Sequence, residues 1–210
     1  MLARCVNLVS FEAIGSRYLR TYNGGVISID GRQMLAAPNR CTAYEILDLV
    51  QTVKTGAFRY CQGLTAVTFP ASLTTIEAQA FTSCLSLTDV QLPDGLKTIG
   101  DFAFAGCAAL TSVLIPKSVT SIGAGAFTGC TALTDIDLPG TVTHVGYNAF
   151  TGCTALKDVR CYGAAPAVEP GNSEAHSFEP AIVTIHYNPA MNWTLDADGK
   201  WQGYTVSDKG

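Results

Sequence analysis

The residues with the widest chemical range in this 210-residue chain are eight cysteines and three histidines. Thiols can pair as disulfides, hold a soft metal or act as nucleophiles, and an imidazole can be a base or a ligand. Spacing decides among these roles. Cys61, Cys84, Cys107, Cys130 and Cys153 recur every 23 residues, with no C-x-x-C pair and no histidine at ligand distance along the chain. His144, His176 and His186 fall on an outward repeat position, a loop and a strand, and nothing in the sequence brings them together. There is no G-x-S-x-G, H-E-x-x-H, phosphate loop or dinucleotide fingerprint. The expectation is a protein that is not an enzyme, with no metal and no cofactor.

The 23-residue step extends beyond the thiols. AFTGCTAL is written at 126–133 and again at 149–156. The same interval aligns Phe58, Phe81, Phe104, Phe127 and Phe150. It also aligns Leu64 through Leu156, Val67 through Val159, and the prolines 70, 93, 116 and 139. A fixed period of this length with constant apolar columns marks a solenoid, in which each coil buries its apolar edge against its neighbours. LTDIDLP, residues 133–139, alternates as a half-buried strand, so one short parallel strand per coil is expected, stacked at about 4.8 Å. The glycine-rich IGAGAFTGC, residues 122–130, predicts a tight arc with one helical turn at most.

This stacking defines what the cysteines do. Equivalent Cα atoms in successive coils lie about 5 Å apart, yet their Cβ vectors run side by side rather than facing one another. The column thus predicts free, buried thiols behaving as small hydrophobes. Pairing of Cys161 with Cys41 or Cys5 would require the ends of the array to meet.

The pattern I-x-x-x-A-F-x-x-C followed by L-x-x-V-x-L-P resembles the BspA-like leucine-rich repeats of bacterial and some protist surface proteins. Five units, residues 53–161, match, with Tyr162 in place of proline in the last and Leu47 in the weaker unit before the first. The resemblance implies an α/β solenoid, mostly β: a right-handed leucine-rich-repeat stack. It also implies a cell-surface or secreted setting, and adhesion to host or extracellular-matrix proteins.

Residues 1–40 are expected to hold a partial upstream repeat and a hairpin insertion, 41–161 the repeat array, and 162–210 a loop, a final strand and a cap. Cys5, Leu8 and Phe11 repeat part of the unit, and GGVISIDGRQML suggests a hairpin turning at Asp30–Gly31. Tyr44 and Ile46 lie one period before Val67 and Phe69. The mid-repeat start suggests a fragment or truncated member. The columns fade into AAPAVEPGNSEAH, read as a loop. Val183, Ile185 and Tyr187 then alternate as the final strand, and Trp193, Trp201 and Tyr204 form a C-terminal aromatic cap.

Two outward columns remain for recognition. One reads Ala66, Asp89, Ser112, Asp135, Asp158 and the other Thr68, Gln91, Leu114, Asp137, Arg160. In the resembled family this sheet lines the inner curve, so the candidate binding residues are Asp89, Gln91, Ser112, Leu114, Asp135, Asp137, Asp158 and Arg160. The aspartates form an acidic strip that either meets a basic protein segment or merely solvates the sheet. A calcium site is disfavoured, because such sites need oxygens converging from a loop. Threonines 65, 88, 111 and 134 form another column, attributed to cross-strand pairing.

Only 14% of residues are charged and the net charge is -4, which leaves no basic field for nucleic acid. Apolar runs stay well short of the ~20 residues of a membrane span. The first residues lack the basic and apolar regions of a signal peptide. The resemblance makes a protein ligand the expected partner, with two alternatives: a spacer presenting another domain, or a carbohydrate-binding module, for which exposed aromatics would be expected.

Overall fold

A computed structural model describes residues 10–168, 183–191, 193–201 and 204–208. Cys5, Leu8 and His176 lie outside the described residues. Two stacks of parallel strands run through the molecule, and their alternation defines the coil; in the stack of longer strands the pairing is interrupted between residues 68 and 89. The longer strands are β4 (Ala43–Glu45), β6 (Ala66–Thr68), β8 (Asp89–Gln91), β10 (Ser112–Leu114), β12 (Asp135–Leu138) and β14 (Asp158–Cys161). Each is followed by a strand of two residues: β5 (Thr52–Val53), β7 (Thr75–Ile76), β9 (Thr98–Ile99), β11 (Ser121–Ile122), β13 (His144–Val145) and β15 (Ala167–Val168). The chain is thus a β-solenoid. Each coil carries the expected strand and a second, shorter one that the alternation pattern was too brief to reveal.

The register follows the repeat. Val113 pairs with Val90, and Asp135 to Leu138 pair with Asp158 to Cys161, all in parallel. In the short ladder Ser121 pairs with Thr98 and His144. Period-two alternation sends the central residue of each long strand inward, so Val90, Val113, Ile136 and Val159 are buried while their neighbours face outward.

No helix forms among the described residues, so the α component of the expected fold is absent. The cause lies in the arc. It holds two left-handed residues per coil, one in the column Gly56, Gln79, Phe102, Gly125, Asn148 and one in Tyr60, Ser83, Gly106, Gly129, Gly152. A right-handed helix cannot pass through such residues. The arc is instead tied coil to coil: the Phe81, Phe104 and Phe127 amides donate to the Ala103, Ala126 and Ala149 carbonyls at 2.7, 2.8 and 2.8 Å. At Gly123 the coils approach so closely that a Cβ would lie 2.6 Å from the Asp101 amide nitrogen.

Inside, the five phenylalanines are fully buried and stacked, with centroids 4.7–5.4 Å apart and planes within 15°. Offset stacking of this kind adds to the burial term. The thiol column lies beside them. Cys84, Cys107, Cys130 and Cys153 donate to the carbonyls of Phe58, Phe81, Phe104 and Phe127 at 3.1–3.3 Å. Next to the strands, the Thr65 and Thr111 hydroxyls donate to the carbonyls of Thr42 and Thr88 at 2.9 and 3.3 Å. This threonine ladder therefore bonds side chain to backbone rather than pairing hydroxyls across strands.

The ends depart from the period. Upstream, β1 (Leu19–Tyr22), β2 (Gly25–Ser28) and β3 (Gln33–Ala36) form an antiparallel meander, and β3 pairs in parallel with β5 through Met34 and Val53. Asp30 and Gly31 do lie between two strands, but in a four-residue connection; the two-residue turn is Asn23–Gly24, where both φ angles are positive. Asn-Gly was the overlooked signal. Downstream, Ala167 and Val168, read as loop, extend the short ladder. The strand β16 (Thr184–Tyr187) pairs with β14, but it is not the last: β17 (Thr205–Ser207) pairs with it in turn. The aromatic cap packs against this end. Trp193 lies 5.0 Å from Trp201, whose ring is 6.0 Å from that of Tyr204, and Trp201 and Tyr204 are buried.

Candidate recognition surface

The outward side chains of β8, β10, β12, β14 and β16 share one face, because parallel register and period-two alternation place every second residue there. Asp89, Gln91, Ser112, Leu114 and Asp135 are exposed, while Asp137, Asp158 and Arg160 are half-buried. Leu114, on the strand next to the sheet edge, is 72% exposed.

The acidic strip is internally compensated. Arg160 Nη1 lies 3.0 Å from Asp137 Oδ1 and 3.5 Å from Asp135 Oδ1. The hydrogen bond to Asp137, and the charge of that carboxylate, push the Arg160 guanidinium further towards its charged form. Asp135 also accepts from the Thr134 hydroxyl at 2.9 Å. Asp158 Oδ1 lies 2.7 Å from His186 Nε2. Three of the four carboxylates thus spend part of their hydrogen-bonding capacity within the sheet, which lowers the free negative potential of the strip. Asp89 is the outlier, with Gln91 Nε2 3.5 Å away.

Two residues enter this surface that the repeat alignment did not place there. Tyr162 takes the position of a proline; it is 56% exposed, and its hydroxyl donates to Asp137 Oδ2 at 3.2 Å. Desolvation and the neighbouring Asp137 carboxylate push its phenol above the ordinary value. The broken proline column was the available signal. His186 joins through the pairing of β16 with β14, where Ile185 lies opposite Val159 although they are 26 residues apart, three more than the period. His144 lies on β13 in the other ladder.

Leu114, Asp137 and Tyr162, with Pro116 and Pro139, line an open groove of about 870 Å³ at the margin where the strands end and the proline turns begin. A second depression of about 470 Å³ runs over Asp89, Gln91, Ser112 and Leu114. Both are shallow and open. Among the described residues no group of three or more His, Cys, Asp or Glu converges as metal ligands would. No helix there is long and apolar enough to cross a membrane.

The stacked 23-residue coils, with their constant interior and open sheet face, define a leucine-rich-repeat solenoid. The chain belongs to the BspA-type leucine-rich-repeat family, whose repeat matches in six copies over residues 38–162. Among solved structures it is similar to a leucine-rich cell surface protein from Faecalibacterium prausnitzii, at 28% identity and a TM-score of 0.65 over 75% of this chain. It is also similar to the leucine-rich-repeat protein of T. pallidum, at 30% identity and a TM-score of 0.55 over 59% of this chain. The pneumococcal vaccine antigen PcpA shares the fold, with 16% identity and a TM-score of 0.71 over 94% of this chain. The chain spans 41%, 60% and 49% of those three chains respectively. Among curated proteins no sequence matches it.

Proposed function

We propose that the chain is a non-enzymatic recognition module of a cell-surface or secreted protein, binding a protein partner through the outward face of β8 to β14. One observation carries this reading. From coil to coil the inward columns keep their residue type, whereas the outward ones change from Ser112 to Asp135 and from Gln91 to Leu114 to Asp137. A sheet that needed only solvation would tolerate one polar residue repeated. A varied face that exposes a leucine and a tyrosine among its polar residues has the makings of a specific contact, since well-packed aromatic and apolar anchors supply much interface energy. The setting is supported by the cell-surface description of the F. prausnitzii relative. Host or extracellular-matrix proteins are the partner class this setting favours.

The test is surface plasmon resonance of the purified chain against a panel of extracellular-matrix proteins, repeated with a Leu114→Ala/Tyr162→Ala variant and an Asp135→Ala/Asp137→Ala/Asp158→Ala variant. Binding that weakens at least tenfold in the first variant, with an unchanged melting curve, supports the proposal. Undiminished binding in both variants moves recognition off this face. Absence of binding throughout favours the spacer reading. A carbohydrate reading draws on the exposed ring of Tyr162 beside this face and is checked by adding a glycan panel to the same experiment.

A further inference from the structure

Among the described residues two buried side-chain nitrogens lack a hydrogen-bond partner, Asn39 Nδ2 and Arg59 Nε. They belong to different segments, yet both residues line one cavity of about 280 Å³ between the upstream meander and the first coil. The other walls are mainly apolar: Phe11, Leu19 of β1, Val26 of β2 and Ala57 of the arc. The strands β1 and β2 occur once, so no later coil is walled in this way.

Both residues break the repeat. In 23-residue steps Asn39 is followed by Gln62, Leu85, Ala108, Thr131 and Thr154, none of which is buried, whereas Asn39 is 7% exposed. Arg59 is followed by Thr82, Ala105, Thr128 and Thr151. The Thr82 and Thr128 hydroxyls donate to the Phe102 and Thr151 carbonyls at 2.7 and 2.9 Å, so a threonine here finds its acceptor on the next coil. Arg59 does not. Its guanidinium carbon lies 4.8 Å from the Tyr60 ring centroid, and among the described residues no carboxylate pairs with it. Glu77, on the next coil, is already engaged by Lys54 and Thr55. A buried donor left unpaired bears its full desolvation penalty, and two of them on one cavity call for an acceptor from outside the chain.

We infer that this cavity binds a short aliphatic carboxylate. Asn39 offers a neutral N–H and Arg59 a charged one, and the two oxygens of a carboxylate accept both. The apolar walls take the hydrocarbon tail. At about 30 Å³ for each water-sized atom, the space holds roughly nine non-hydrogen atoms, the size of hexanoate or octanoate. The unmatched charge of Arg59 selects the anion over a neutral amide of the same shape. As the side chains stand, both nitrogens are shielded, so binding includes a rotation between staggered rotamers that turns them onto the carboxylate. This inference is independent of the recognition surface, which lies on later coils.

The experiment titrates the full chain, labelled with nitrogen-15, with sodium hexanoate, sodium octanoate and hexanamide, and follows the Asn39 side-chain amide and the Arg59 Nε–H by NMR. Both signals should shift saturably with the two carboxylates, and hexanamide should bind at least tenfold more weakly. Hexanoate affinity from calorimetry should fall at least tenfold in Arg59→Thr, which restores the residue type of Thr82, Thr128 and Thr151, and also in Asn39→Ala. Melting curves verify that each variant is folded. If either variant unfolds, the wild-type titrations carry the test alone, because they read the two donors directly. Signals that neither carboxylate moves would leave both donors to water and overturn the proposal. Equal shifts with hexanamide, or full affinity retained in a folded Arg59→Thr, would overturn it as well.

Discussion

The interior of the central coils and their outward sheet face are made by the same strands, yet they obey different rules. Inside, Phe81, Phe104 and Phe127 occupy equivalent positions with no exposed area, each stacked on the next. Outside, Gln91, Leu114 and Asp137 occupy equivalent positions and share no chemistry. The difference teaches where the stability of a solenoid resides. A dry column must solve the same packing problem at every coil, whereas a wet one is released from that requirement and is free to serve recognition.

Substitutions can break or sharpen this contrast. Phe104→Ala should have the largest effect, about 3–5 kcal/mol in denaturant melts, because ordered rings on both sides keep the cavity from collapsing. A loss below ~1 kcal/mol would mean that the stack contributes little. Gly123→Ala should follow at about 1–3 kcal/mol, since the new methyl would press on the backbone of the preceding coil and force the coils apart.

A smaller, pH-dependent effect is expected at Glu77, which meets Lys54 and accepts from the Thr55 amide and hydroxyl. Burial pushes its carboxyl up, but these partners outweigh burial and hold it below the usual range. A depressed folded-state value gives stability that is present above the unfolded-state pKa and is lost as pH falls through the folded-state one. Glu77→Gln should thus cost less than about 1 kcal/mol at neutral pH and nothing in strong acid, as read from melts across the acid range. Leu114→Ala should be the mildest for stability, within ~0.5 kcal/mol, because its side chain faces solvent. A larger loss would place Leu114 in the packing and remove it from the recognition surface.

Legibility in the sequence followed the period. Val90, Val113 and Ile136 could be assigned inward because a 23-residue step and strand alternation leave no freedom in register. The same step failed where the chain inserted or lost residues. His186 reaches Asp158 only because β16 docks on β14 after a longer excursion. The meander at Leu19–Ala36 was only half visible, since its first turn was marked by Asn23–Gly24 alone. The two-residue strands were hidden for another reason: two residues are too few to show an alternation, and only the neighbouring coil's hydrogen bonds make them strands.

By itself the sequence determined that this protein is a stack of coils, and which side chains form its interior, because burying the same columns coil after coil is a local, periodic requirement. Tertiary structure alone decided the rest. It set Arg160 between two aspartates and His186 beside Asp158. Those meetings depend on how neighbouring coils are offset in space, an offset fixed by hydrogen bonds between chain segments 20 or more residues apart, which no pattern within a single coil encodes.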